Sequence, residues 1–134
     1  MEVHLRIIGW LLVLLSGLHV FIPGYLDWAR DLRPLSLMNR QMMKTHTIFI
    51  AITVFAIGLL CVVHHGALTG TTLGRDLCRG LAVFWALRLF FQFGVYSSKL
   101  WRGKRFETTV HVFAVVFWVY MTVVFAQVGF FTVR

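Results

Sequence analysis

Five side chains able to do chemistry stand in or beside runs that are otherwise apolar: His19, His46, Arg88, Gln92 and His111. Neutral imidazoles are good ligands for zinc, copper and iron. Two of them on different helices would make the axial pair of a b-type haem. A guanidinium among apolar residues would meet the carboxylates of such a haem, or donate hydrogen bonds to a quinone headgroup. Arg88, Gln92 and Tyr96 follow one another at i, i+4 and i+8, so one helical face carries a polar stripe. The cofactor-binding candidates are therefore His19, His46, Arg88, Gln92, Tyr96 and His111, with His19, His46 and His111 as metal ligands and haem b or a transition metal as the cofactor. His19 and His111 are the pair best matched in depth, and Gly17 beside His19 leaves room for a macrocycle. His46, near the end of its run, also reads as a wetted end residue.

Catalysis by the side chains alone has less behind it. General acid–base work and metal-assisted hydrolysis want a carboxylate, and the nearest ones, Asp27, Asp31 and Glu107, lie at the rims of the apolar runs. The chain has no Ser/His/Asp arrangement, no Gly-rich phosphate loop and no HExxH pattern. A proton-coupled pump would keep a titratable carboxylate within the membrane, and none is found there.

The elements that must hold these residues follow from composition. Of 134 residues, 59% are hydrophobic and 13% charged, with a mean hydropathy of +0.80. Soluble domains run at about 45–50% apolar and about 25% charged, so a disordered tail, a coiled coil and an ordinary soluble domain are excluded. Four runs, 7–25, 47–64, 77–96 and 110–131, approach or reach the roughly 20 apolar residues needed to cross hydrocarbon. They show no period-2 alternation, so they are expected as helices. The predicted fold is all-α: one transmembrane domain over 1–134, built as a four-helix up-down bundle. Arg6 before the first run mimics a signal peptide, but Ser16-Gly17-Leu18-His19 is a poor cleavage site, so this run is expected to stay as a helix.

Punctuation fits four spans. Pro23-Gly24 should close the first helix, and Gly66 with Gly70–Thr72 marks the turn after the second. Between helices one and two, Tyr25, Trp28, Ala29 and Leu32 oppose Asp27, Arg30, Asp31 and Arg33, which predicts a short amphipathic helix in the headgroup plane ended by Pro34. Ser36 should then cap a helix carrying Asn39, Arg40, Gln41 and Lys44 into the membrane. Gly9, Gly17, Ala51, Gly58, Ala82, Ala86 and Gly94 supply small residues for close helix approach, and the Phe and Trp residues of the last two spans read as packing.

Basic residues orient the bundle. The first and third loops carry Arg30, Arg33, Arg40, Lys44, Lys99, Arg102, Lys104 and Arg105; the other face has Arg6, Arg75, Arg79 and Arg134. Positive-inside bias puts both loops in the cytoplasm and both termini outside, in a bacterial inner membrane. The net charge of +8 is divided among short loops beside Trp28 and Trp101, which points to anionic lipid headgroups as partner and away from nucleic acid. On the outer face, His4, Cys61, His64, His65 and Cys78 form a weaker candidate metal cluster. Cys61 and Cys78 would pair if that face is oxidising, or serve as small buried hydrophobes.

The order Asn39-Arg40-Gln41 then His46, Phe84-Trp85 then Arg88 and Gln92, and His111 then Trp118, Tyr120 and Thr122 resembles a group of small, uncharacterised bacterial four-span membrane proteins. The resemblance implies the topology and carries no activity. Three uses of the polar layer compete: a site for haem, metal or quinone in an electron-transfer or ligand-binding component; interhelical glue in a noncatalytic accessory subunit of a larger complex or homo-oligomer; and the pathway of a small transporter.

Overall fold

The computed structural model describes residues 1–100 and 102–131; Trp101 and Arg134, invoked above for the headgroup layer and the charge count, lie outside them. The chain is 85% helix, with no strand among the described residues. In order come α1 (Glu2–Leu18), the short turns α2 (Ile22–Tyr25) and α3 (Trp28–Asp31), α4 (Leu37–Val63), α5 (His65–Gly70), α6 (Thr72–Gly94) and α7 (Arg105–Ala126). A 3-10 turn at Ser98–Leu100 precedes α7, and a π-helical turn, Gln127–Phe131, extends it.

Three stretches, Leu37–Val63, Thr72–Gly94 and Arg105–Phe131, are long and apolar enough to cross a membrane, which marks the chain as an integral membrane protein. Only 17% to 22% of the residues in their most apolar windows are buried within the protein. Side chains such as Phe49, Ile52, Phe90, Phe113 and Val116 are left exposed, and hydrocarbon is the solvent that such a surface suits.

The first apolar run folds differently from its expected limits of 7–25. α1 starts at Glu2 and ends after 17 residues at Leu18, a length of about 25 Å. The backbone N–H groups of His19, Val20 and Phe21 turn to the carbonyls three residues back, which tightens and ends the helix. Pro23 therefore does not close α1. It stands in the first turn of α2, where its missing N–H has no intrahelical partner to lose. The segment after it is two four-residue helical turns separated by Asp27, which sits in the left-handed region at φ 48°. Arg30 holds Asp27 at 3.4 Å and Asp31 at 3.1 Å.

The expected Ser36 cap is present: Ser36 Oγ accepts from Asn39 N–H at 3.3 Å, so α4 begins well before its apolar part and carries Arg40 and Lys44. Thr71 caps α6 in the same way, accepting from Gly74 N–H at 2.9 Å.

The backbone groups into two compact units, one of Val3–His65 and one of Met1–Glu2 with Gly66–Arg134. In the first, α1 and α4 meet through glycines: a Cβ on Gly9 would stand 2.7 Å from Gly58 O and 2.6 Å from Val62 Cγ2. Gly17, also expected at a helix contact, has open space around it. In the second, α6 and α7 form an antiparallel hairpin. Arg79 meets Gly129, Trp85 stacks on Trp118, and Gln92 reaches His111, so partners run in opposite senses along the two helices. Gly103, at φ +83°, sits in the connection just before α7.

Candidate functional site

Four of the six expected site residues belong to the α6–α7 unit, and three are linked in one chain of hydrogen bonds. Arg88 Nη1 donates to Gln92 Oε1 at 2.9 Å, and Gln92 Nε2 lies 2.8 Å from His111 Nδ1. A guanidinium can only donate, so the amide oxygen must face Arg88 and the amide nitrogen must face the imidazole. Nδ1 of His111 is then an acceptor, and the proton of the neutral ring sits on Nε2. The i, i+4 spacing of Arg88 and Gln92 puts their side chains in register, while the hairpin brings α7 across to them. Gln92 is buried at 8% exposure, and Arg88 and His111 are half-buried.

Aromatic rings do what a carboxylate would otherwise do for Arg88. Its guanidinium carbon lies 5.2 Å from the centre of the Trp118 ring and 5.6 Å from that of Tyr96. Cation–π contacts contribute about 0.5–1 kcal/mol when exposed and about 2 kcal/mol when desolvated. Among the described residues Arg88 has no ion pair. Trp118 stacks on Trp85 at 5.1 Å with an 11° interplanar angle, and Phe93 presents itself at 90° to the His111 ring, 6.3 Å away. The Nε1 atoms of Trp85 and Trp118 are both buried without a hydrogen-bond acceptor.

These two tryptophans were expected only as packing. The signal for them lay in spacing: Trp85, Arg88 and Gln92 fall at i, i+3 and i+7 on α6, and His111 and Trp118 at i and i+7 on α7, so each set shares one helical face.

His19 and His46 belong to the other unit and are set up in the opposite sense. His19 Nδ1 lies 2.8 Å from the Leu15 carbonyl and His46 Nδ1 2.8 Å from that of Met42. A carbonyl only accepts, so in both rings Nδ1 carries the hydrogen and Nε2 keeps its lone pair. His46 is exposed and His19 half-buried. His19 also lines a cavity of about 470 Å3 with Trp28, Lys44, Ile48 and Ala51. Among the described residues no three His, Cys, Asp or Glu side chains come together as a metal site, either in the expected layer or in the His4, Cys61, His64, His65 and Cys78 cluster. His65 Nδ1 is engaged by the Val62 carbonyl at 3.0 Å, and Cys61 and Cys78 are fully buried thiols, in keeping with small hydrophobes.

No family model matches the chain, and no curated protein and no solved structure is significantly similar to it.

Proposed function

We propose that this is a small membrane component that binds an acceptor-rich headgroup, of which a quinone is the best fit, at Arg88, Gln92 and His111, in an electron-transfer or ligand-binding role. The observation that carries it is an imbalance of hydrogen-bonding groups. Gln92 Oε1 and His111 Nδ1 are engaged within the chain, whereas Arg88 has further N–H groups and Trp85 and Trp118 have unmatched N–H groups. Buried donors without acceptors cost about 1–3 kcal/mol each. A ligand bringing carbonyl or carboxylate oxygens would relieve that cost, and the arginine favours one that gathers negative charge.

The same tautomer weighs against His111 as an axial haem ligand, because iron needs the lone pair that Nε2 lacks here. Metal or haem ligation would fall to His19 and His46, whose Nε2 atoms keep theirs. In this reading α1 is the fourth span of an up-down bundle. The α2–α3 segment lies in the headgroup layer, both termini are outside, and the basic loops face the cytoplasm of a bacterial inner membrane.

A second reading has its own support, since the Gln92–His111 bond joins α6 to α7 and would lock the helices of a noncatalytic accessory subunit. Purified protein separates the two. The quinone reading expects stoichiometric quinone in a solvent extract, lost in Arg88→Leu. A Soret band or stoichiometric metal would transfer the assignment to haem or metal, and an extract, spectrum and elemental analysis all blank would leave the structural role.

A further inference from the structure

We infer that the cavity of the first unit is a binding groove for one acidic phospholipid, its phosphate on Lys44 and Arg40 and an acyl chain along Ile48, Ala51 and Ile52. The groove owes its existence to the early end of α1. Past Leu18 the chain turns through His19–Phe21 into α2, and the α4 surface there is left with His19, Pro23 and Trp28 as its other wall. The volume of about 470 Å3 is within the range of roughly 300–1,000 Å3 that holds small ligands.

The lining of α4 is graded like an amphiphile. Lys44, Ile48 and Ile52 line the groove at i+4 intervals with Ala51 keeping the apolar end open, and Arg40, four residues before Lys44 and outside the lining, extends the same face, which so runs from two cations to branched aliphatics. Charge chooses the headgroup. Neither Arg40 nor Lys44 has an ion-pair partner among the described residues, and Asp27 and Asp31 are held by Arg30. A phosphodiester with no cation of its own answers both. A choline or ethanolamine headgroup would bring a further ammonium to a site with no carboxylate to receive it. Trp28 suits the level where headgroup meets chain. The groove and the Arg88 site share no residue, so either assignment can fail without the other.

The test is native mass spectrometry of the purified full chain in micelles doped with phosphatidylglycerol and phosphatidylcholine of identical acyl chains. The wild type is expected to retain one phosphatidylglycerol in preference to phosphatidylcholine. Lys44→Gln and Arg40→Gln should each cut that preference by about fivefold, the effect of one basic residue at an anionic headgroup layer, and Lys44→Arg should keep it. Ala51→Trp, which fills the chain-binding end, should lower retention of both lipids while circular dichroism shows helicity unchanged. An undiminished preference in the double Gln variant, or undiminished lipid in a folded Ala51→Trp protein, overturns the proposal. Equal retention of both lipids by the wild type overturns it too.

Discussion

Two histidines of the same chain, His111 and His19, show how differently one residue type is used in the two units. His111 receives a hydrogen bond at Nδ1 from an amide on another helix, whereas His19 gives its Nδ1 hydrogen to a carbonyl of its own helix. The first ring is part of a cross-helix chain that ends in a cation, and its orientation depends on partners that sequence distance hides. The second is satisfied locally and would keep its tautomer in an isolated helix. One presents a proton at Nε2, the other a lone pair. A histidine on an apolar helix is therefore not a ligand in general; the atom bonded to its other nitrogen decides what it can bind.

The sharpest way to break this contrast is Arg88→Leu. It removes the charge on which the quinone reading rests, and on that reading bound quinone in a solvent extract should fall at least tenfold, equivalent to about 1.4 kcal/mol or more. His19→Ala should leave that same extract unchanged, and parity between the two variants would dissolve the distinction between units. Gln92→Leu comes next. It strands His111 Nδ1 and removes the acceptor of Arg88, costing about 1–3 kcal/mol measured by denaturant unfolding in micelles.

Gln92→Glu sharpens the same point in the opposite direction. It supplies the anion Arg88 lacks, so the protein should hold its stability and still lose the quinone that the proposed function expects. Gly9→Ala probes the first unit, where the added methyl would press on Gly58 O and Val62; about 1–3 kcal/mol of destabilisation is expected in the same unfolding measurement. The smallest effect belongs to His19→Ala on stability, within about 1 kcal/mol, because only one local hydrogen bond is lost.

Hydropathy and capping made much of the fold legible. The three long helices appear where apolar runs required them, and Ser36 caps α4 as its position before the run implied. The i, i+4 pair of Arg88 and Gln92 was also readable, since both lie on one helix. What escaped depends on interactions that no local pattern encodes. Hydropathy measures partitioning and is indifferent to where a hydrogen-bond ladder tightens, so the end of α1 at Leu18 passed unseen inside an apolar run that continues beyond it. Rotation about each helix axis was equally hidden. Sequence distance was also silent on grouping: of the six expected site residues, four fall in one unit and two in the other. Trp85 and Trp118 read only as packing until the hairpin register stacked one on the other and set Trp118 against Arg88.

The π-helical turn at Gln127–Phe131 acts on α7 as a phase shifter. A π turn takes one residue more than an α turn, so by its end the side chains stand about 100° from where a continuous α-helix would put them. Within that turn Gly129 O accepts from Arg79 Nε at 2.7 Å, Gly129 packs so close that a Cβ would stand 2.8 Å from Arg79 N, and the Phe130 ring lies 5.7 Å from the same guanidinium. Deleting Val128 would reset the helical clock while leaving the run apolar, swinging Gly129 and Phe130 off Arg79. In this segment the count of residues, more than their polarity, aligns the last turn with its neighbour.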